Sequence, residues 1–176
     1  MHIRFMGAAR TVTGSRHLLH INDKNILLDC GMFQDKGADN NDRNRSFGFN
    51  PTHVNAVILS HAHIDHSGCL PKLVKDGFRG PIYATPATID LCIVMLGDSA
   101  HIQESDVKYI NKRRIREGKK ELEPLYTDED VAQTIQQFVA VPYHTKREIA
   151  SGVTFHFTDA GHILGSAIVE IDFEGK

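Results

Sequence analysis

The sequence predicts an α/β fold in which two sheets are packed between layers of helices. Short apolar runs typical of strands occur along the chain together with longer segments that carry helix start signals. Strands and helices do not follow a strict strand–helix–strand order, and this irregular order favours a sandwich layered helix, sheet, sheet, helix. At 176 residues and 41% hydrophobic content, the chain is long enough for one domain with its own core.

Eight strands are predicted from apolar content and from alternation. Residues 55–60 contain a continuous apolar run typical of a buried strand, and residues 153–158 alternate between apolar and polar side chains. The predicted strands cover residues 2–6, 16–21, 25–29, 55–60, 81–84, 139–141, 153–158 and 166–173.

Four helices are predicted, over residues 68–76, 86–96, 99–117 and 128–138. Thr85 before Pro86 is a typical helix start, because threonine caps the first turn and proline fits its first position. Thr127 precedes three carboxylates, which favour a helix amino terminus. Residues 31–51 are predicted to form a long loop that contributes to the rim of an active site.

The overall charge gives little indication of a partner. The net charge is −2, so there is no general electrostatic attraction to nucleic acid. One basic cluster lies near the end of the third predicted helix, where it could contact phosphates or form a solvated helix face. The second interpretation is favoured, because nearby carboxylates partly balance the cluster. Its members are Lys108, Lys112, Arg113, Arg114, Arg116, Lys119 and Lys120, and the carboxylates are Glu104, Asp106, Glu117, Glu121 and Glu123.

The cysteines and the hydropathy predict a cytoplasmic protein. Cys30, Cys69 and Cys92 are odd in number and lie in apolar surroundings, as reduced core thiols do. The amino terminus lacks the apolar stretch of a signal peptide, and no run approaches the ~20 apolar residues of a membrane span.

Residues 61–66, with the sequence HAHIDH, contain four potential metal ligands directly after a predicted strand. Imidazole and carboxylate suit zinc or a similar divalent ion. His61 and His63 can point toward one metal, and Asp65 and His66 can turn toward a second. Two ions about 3.5–4 Å apart can act together on a phosphodiester. The alternative is a polar loop with scattered histidines.

Five stretches, in the same order along nearly the whole chain, give a specific resemblance to a known family. They are residues 11–17 (TVTGSRH), 27–34 (LLDCGMFQ), 60–73, 81–88 (PIYATPAT) and 159–167 (DAGHILGSA). The chain resembles the metallo-β-lactamase fold, an αββα sandwich with mixed sheets flanked by helices. Within it, the chain is similar to the β-CASP RNA-processing branch, which includes the cleavage-and-polyadenylation endonuclease.

The resemblance implies roles for six residues. His61, His63 and His162 would hold one zinc ion, and Asp65 and His66 a second, with Asp65 also orienting the attacking water. Asp29 would support the ligand loop by hydrogen bonds. From the residues alone, Asp29 is equally well explained as a turn residue at a strand end. His162 alone would be a polar loop residue, although Gly161 and Gly165 give its loop a flexible backbone.

The sequence departs from the family pattern after residues 168–173, which are predicted to form a strand, with a hairpin turn starting at residues 174–176. In the family an aspartate that bridges both metals follows one strand later. Asp172 lies within the strand and is expected to face solvent. We therefore expect residues 1–176 to be the amino-terminal part of a metallo-β-lactamase domain, the first half of the fold, with the β-CASP domain and the carboxyl-terminal half absent. An exposed strand at its edge would favour self-association.

The function implied by the resemblance is zinc-dependent phosphodiester hydrolysis of RNA by the full-length protein. The 176-residue chain is expected to hold one zinc ion or none and to be inactive. A small-molecule hydrolase of the same fold and a non-catalytic fragment are the alternatives, and cleavage of DNA stays open. His101 and Gln103 resemble family residues near the site, but a position on a helix surface is favoured.

Overall fold

A computed structural model of the chain describes residues 1–34 and 40–173. Its larger sheet has six strands in the order β1-β2-β3-β4-β5-β6. The first three strands are antiparallel, and β3 to β6 are parallel. Their bounds are β1 His2–Phe5, β2 His17–Ile21, β3 Lys24–Leu28, β4 Ala56–Ile58, β5 Ile82–Ala84 and β6 Phe138–Ala140.

A second sheet contains three antiparallel strands, β7 (Arg147–Ala150), β8 (Val153–Asp159) and β9 (Ala167–Phe173). The helices are α1 (Asn40–Arg45), α2 (Ile64–Ser67), α3 (Leu70–Lys75), α4 (Pro86–Arg116) and α5 (Asp128–Ile135), and a short 3-10 turn covers Pro51–His53. In the described residues, no helix combines the length and apolar character needed to cross a bilayer.

Two hydrophobic cores lie on opposite faces of the larger sheet. One face carries side chains such as Leu27 and Val57, which pack with Leu73 of α3 and Leu96 of α4. The other face packs against the smaller sheet, where Phe155 is fully buried. The described residues therefore form three layers in the order helix, sheet, sheet. The predicted α/β class is confirmed, with a mixed larger sheet flanked by helices, whereas the smaller sheet is purely antiparallel and not mixed.

The predicted helix starts are confirmed by their caps. The Thr85 hydroxyl accepts a hydrogen bond from the Thr88 amide, and Pro86 occupies the first turn of α4. Thr127 and Asp130 form a reciprocal capping box at the start of α5. These caps satisfy amides that have no partner within the helix.

Four predictions about the helices and the long loop are wrong. The helices predicted at 86–96 and 99–117 are one helix, because its buried positions continue across Gly97 from Leu96 to Ala100, and one helical glycine costs only about 1 kcal/mol. The helix predicted at 68–76 is divided into α2 and α3, and the one predicted at 128–138 ends at Ile135. The loop predicted at 31–51 contains α1.

Two features at the sheet edges bear on other predictions. Strand β7 was not predicted, since it has no clear alternation and half of it is exposed. Strand β9 pairs with β8, and within residues 1–34 and 40–173 no strand covers its other edge. The Asp172 side chain is 45% exposed there and accepts a hydrogen bond from Lys146, in agreement with the predicted position toward solvent. Self-association through this edge stays a prediction, and the hairpin turn predicted at 174–176 lies outside the described residues.

The continuous helix is tested by two glycine substitutions. Neither Gly97 nor Gly118 has an atom within 4 Å of an added Cβ, but only Gly118 has a positive φ, of 67°. We expect Gly97→Ala to raise the free energy of unfolding by about 0.5–1 kcal/mol, since alanine favours a helix interior. Gly118→Ala should lower it by about 1 kcal/mol. Urea denaturation measures both, and a loss of stability in Gly97→Ala would contradict a helix through this position.

Candidate metal centre

The potential ligands in residues 61–66 follow β4 at the carboxyl end of a parallel strand, where open α/β sheets place their sites. Helix α2 begins within this segment, with His63 at its N-cap. The His63 side chain makes no capping hydrogen bond, so its ring is not engaged by the helix. The short helix therefore separates two ligand groups, His61 and His63 before it and Asp65 and His66 inside it.

Three histidine nitrogens converge at this edge of the sheet. Nε2 of His61 lies 3.2 Å from Nδ1 of His63, and Nε2 of His162 lies 3.3 Å from the same atom. The three residues each offer a ligand atom, and these atoms all lie within 4.8 Å of one another. Three imidazoles in this arrangement can bind a divalent ion and leave a further position open. The structure thus brings together the three residues predicted as the first ligand set.

The loop that carries His162 is fixed by polar contacts to two other elements. The amides of His162 and Ile163 donate to the Ser166 hydroxyl. The Gly165 carbonyl accepts hydrogen bonds from the hydroxyls of Thr85, at 2.6 Å, and Thr88, at 2.9 Å. Gly165 has a φ of 85°, and an added Cβ would lie 2.6 Å from the Thr88 amide nitrogen, so a side chain there would be strained and crowded. The start of α4 therefore holds this loop in position.

Asp65 and His66 lie beside the triad. Nε2 of His66 is 3.7 Å from a carboxylate oxygen of Asp65, and the rings of His66 and His61 are 4.0 Å apart between centroids. In the described ranges, the triad is the only group of three or more His, Cys, Asp or Glu residues with ligand atoms this close. Two groups are thus present at the predicted second position, and the described residues form no second cluster of three converging ligand atoms there.

The carboxylate of Asp29 makes hydrogen bonds to the ligand segment. It lies 2.7 Å from Nδ1 of His66, and it accepts hydrogen bonds from the Ser60 amide at 2.8 Å and the Ser60 hydroxyl at 3.1 Å. The Ser15 hydroxyl is also 3.1 Å away. Because Nδ1 of His66 faces Asp29, its Nε2 is left to face the site. Asp29 is buried and its own φ is 57°, so it ends β3 as a turn residue as well.

The surroundings shift the pKa values of two of the histidines in opposite directions. Burial, followed by the nearby His66, lowers the pKa of His61 to about 4, so its ring is neutral at neutral pH. Burial also opposes charge on His66, but the hydrogen bond and the negative charge of Asp29 outweigh it and raise the pKa of His66. A neutral imidazole is the form that binds a metal ion, so His61 is prepared as a ligand.

Two further segments, whose backbone role was not predicted from the sequence, fix the ligand segment through main-chain hydrogen bonds. The Ser15 amide donates to the Asp65 carbonyl at 2.8 Å, and the Cys30 amide donates to the His66 carbonyl at 2.7 Å. A Cβ on Gly31 would lie 1.6 Å from the Asp65 oxygen, so only glycine fits there. Ser15, Cys30 and Gly31 lie in the motifs at 11–17 and 27–34, so the sequence indicated that these segments matter. The resemblance gave these three residues no role.

Arg16 is the least expected member of this support. It is 1% exposed, and its Nε donates to the Gly31 carbonyl at 2.9 Å. The guanidinium also lies 4.9 Å from the ring centroids of Phe33 and Phe47, where cation–π attraction compensates for its burial. By contrast, His101 is exposed on α4, as favoured from the sequence. Gln103 is half-buried and donates to Ser99, away from the triad.

Comparison with known proteins gives sequence and structural relatives. Residues 18–175 match the family model described as the metallo-beta-lactamase superfamily domain. The chain is 39% identical over 176 residues to ribonuclease TTHA0252 of Thermus thermophilus, which covers all of this chain and 36% of that protein. It is 34% identical over 171 residues to transcription termination factor FttA of Methanosarcina mazei, covering 96% of this chain and 24% of that factor. The chain thus spans about a third or less of these relatives.

Two solved structures share the fold at low sequence identity. A metallo-beta-lactamase mutant of the HARLDQ-motif type from Cronobacter sakazakii superposes with a TM-score of 0.57 at 18% identity, over 97% of this chain and 56% of that one. A flavo di-iron protein mutant from Thermotoga maritima gives a TM-score of 0.56 at 19% identity, over 89% of this chain and 30% of that one. At these identities the likeness concerns the fold alone.

NMR titration of the histidine rings in metal-free protein tests the pKa shifts of His61 and His66. We expect His61 to stay neutral down to about pH 4, and His66 to titrate above the ordinary value of about 6.5. Asp29→Asn should lower the pKa of His66, because the partner loses its charge. A His66 ring that titrates below 6.5 would contradict the assignment.

The same shifts have opposite effects on stability. Between about pH 6.5 and 4, unfolded chains bind a proton at His61 that folded chains do not, so His61 lowers the free energy of unfolding as the pH falls. The stabilisation from protonated His66 is fully present below about pH 6.5 and is lost as the pH rises through its raised pKa. Urea denaturation of His61→Gln and His66→Gln separates the two, since each removes one trend.

Proposed function

The chain belongs to the metallo-beta-lactamase superfamily, and we propose from this membership that it forms part of a zinc-dependent phosphodiester hydrolase that acts on RNA. The convergence of the His61, His63 and His162 nitrogens carries the proposal. The donor set fits zinc, because all three are imidazoles and the lowered pKa of His61 keeps that ring neutral at neutral pH. We assign the first ion to these three residues and the second to Asp65 and His66.

Each residue has a distinct task in this proposal. Zinc, when bound, supplies positive charge for the phosphoryl group and makes water a stronger acid. Asp65 orients the attacking water through its carboxylate, an oxygen of which lies 3.7 Å from Nε2 of His66. Asp29 holds the ring of His66 through Nδ1, so that Nε2 faces the reacting groups. His61 is only 8% exposed, so its ring has little contact with solvent.

RNA is proposed as the substrate because of the relatives. One is named a ribonuclease and several are named transcription termination factors, and their similarity extends over nearly all of this chain. We propose the β-CASP branch on the same basis, together with the motifs at residues 11–17 and 159–167. The buried, free thiols of Cys30, Cys69 and Cys92 agree with a reducing compartment, and a cytoplasmic location stays part of the proposal.

The proposal assigns cleavage to the full-length form. The chain covers 36% of the ribonuclease from Thermus thermophilus. Its described residues supply three nitrogens for one ion but only two groups for the other. We therefore propose that the 176-residue chain binds one zinc ion and cleaves RNA poorly, and that a β-CASP domain and the rest of the fold complete the site.

Zinc content tests the ligand assignment directly. Elemental mass spectrometry of the purified chain is expected to find about one zinc ion per molecule. His63→Ala and His162→Ala should each reduce this content at least about tenfold, because each removes one of three ligands. His101→Ala is the matched control, since this exposed histidine of α4 lies outside the triad. Unchanged zinc in both triad variants would refute the site.

Activity tests the reaction and the role of Asp65. In the full-length form, we expect single-stranded RNA to be cleaved in a reaction that EDTA abolishes. Asp65→Asn should reduce kcat by a factor of about 100 or more, because the attacking water loses the carboxylate that orients it. Zinc held by the triad should stay close to one ion per chain. A panel of lactams and thioesters is assayed in parallel. Hydrolysis of these compounds without RNA cleavage would contradict RNA as the substrate and favour a small-molecule hydrolase.

A further inference from the structure

Positive charge is concentrated at one end of α4. Seven of the 20 lysines and arginines of the chain lie between Lys108 and Lys120, together with Glu117 alone of its 22 aspartates and glutamates. The rest of the chain is therefore strongly acidic, although the net charge is only −2. From the sequence, a solvated helix face was favoured for this cluster. The folded arrangement supports a different interpretation.

The chain after α4 folds back along the helix and forms a groove with it. The side chain of Asn111, buried on the helix, makes two hydrogen bonds of 2.9 Å to the backbone of Leu122. Nε of Arg114 donates to the Lys120 carbonyl at 2.7 Å, and Gly118 makes the turn with a φ of 67°. The resulting groove has a volume of about 550 Å³. Lys119 is thereby placed beside the helical cations that line the same groove.

Most of the charge in this groove is not neutralised. Glu117 pairs with Arg113 at 2.7 Å and with Lys119 at 2.8 Å. Lys112 and Arg116 line the groove, and Lys120 follows its last lining residue, Lys119. Among the described residues, these three cations have no carboxylate within ion-pair distance. A helix face stabilised by its own salt bridges would have about equal numbers of both charges. Excess cations in one groove instead create a positive potential that attracts a polyanion.

An aromatic ring lies among these cations. Tyr109 is 77% exposed and lines the groove. It shares a helix face with Lys112, Arg113 and Arg116, at spacings of three, four and seven residues. An exposed aromatic ring beside cations is the combination that binds single-stranded nucleic acid, since bases stack on the ring while phosphates contact the cations.

The groove is far from the candidate metal centre but is joined to it by one rigid element. Helix α4 starts at the loop of His162, through the contacts of Thr85 and Thr88 with Gly165. Apart from Asn111, its buried positions end at Ala100, so its last turns extend beyond the core. With a rise of 1.5 Å per residue, Lys108 and Arg116 lie about 33 and 45 Å from the first turn of α4. A stacked strand covers this distance with roughly 10–13 nucleotides, at about 3.4 Å each.

We propose that the end of α4 and the segment to Lys120 form a binding surface for the backbone of single-stranded RNA, separate from the candidate metal centre. The inference rests on the proposed action on RNA and adds where the chain holds its substrate. The surface recognises phosphates and one stacked base, without reading a sequence. It increases the time that long RNA molecules remain bound, while RNA shorter than about ten nucleotides does not reach from the groove to the metal centre.

The experiment measures RNA binding with the metal chelated. Fluorescence anisotropy with a labelled 20-nucleotide oligouridine, in EDTA and at 50–200 mM salt, gives the affinity and its salt dependence. The triple variant Lys112→Gln, Arg116→Gln and Lys120→Gln should bind about tenfold or more weakly. Its slope of log affinity against log salt should fall by about 2, at roughly 0.7 for each lost phosphate contact.

A matched triple variant controls for net charge. Arg4→Gln, Lys24→Gln and Arg147→Gln removes three exposed cations on strands, and it should change the affinity less than twofold. Tyr109→Ala should weaken binding at least about fivefold, whereas Tyr109→Phe keeps the ring and should bind like the parent. All these side chains are exposed, and circular dichroism confirms that each variant is folded. Equal binding by the two triple variants would refute the RNA surface and favour an acidic protein as its partner.

The two proposals fail independently. Binding in EDTA does not require zinc, so loss of RNA affinity in the Lys112 triple variant supports the surface even if no cleavage is found. Conversely, EDTA-sensitive RNA cleavage with unchanged affinity in that variant would keep the proposed function and reject the surface.

Discussion

The Asp29 carboxylate is the contact on which the arrangement of the ligand segment depends. A buried carboxylate must find partners, because an unpaired charge in the interior costs several kcal/mol. Asp29 finds them in three separate parts of the chain, at Ser15, Ser60 and His66. This one group therefore joins the end of β3, the end of β4 and α2. It sets the orientation of the His66 ring at the same time. The same hydrogen bonds therefore hold the segments together and position a proposed metal ligand.

Backbone pairing around Asp29 makes this arrangement rigid. The ligand segment exchanges amide–carbonyl hydrogen bonds with the segments that contain Ser15, Cys30 and Met32. Beneath it, the Arg16 guanidinium is held between carbonyl groups and aromatic rings. Loops that carry functional residues are usually the mobile part of a protein. Here the backbone of the ligand loop is hydrogen-bonded to its neighbours almost as regularly as a strand in a sheet.

The sequence was most informative where local pattern and tertiary packing agree. Strand β4 was predicted from its apolar run, and the residues of the triad were predicted from the 61–66 motif and the resemblance around His162. The break predicted at Gly97 was wrong because packing of Leu96 and Ala100 outweighs the local preference of glycine. Strand β7 was missed because an exposed edge strand has no alternation to detect. The structural role of Arg16 could not be found, since a buried arginine depends on partners brought together only by the fold.

The contact between His63 and His162 has a further consequence for the folding of the chain. These residues are 99 positions apart, yet their ring nitrogens are 3.3 Å from each other. A link at this point closes a loop of about a hundred residues, and the entropy lost in closing this loop opposes folding. An ion held there acts as a crosslink between the two sheets, so its binding energy becomes folding energy. Packing of the smaller sheet against the larger one and binding of the ion are then thermodynamically coupled. The rate of amide hydrogen exchange in β8 and β9 measures this coupling.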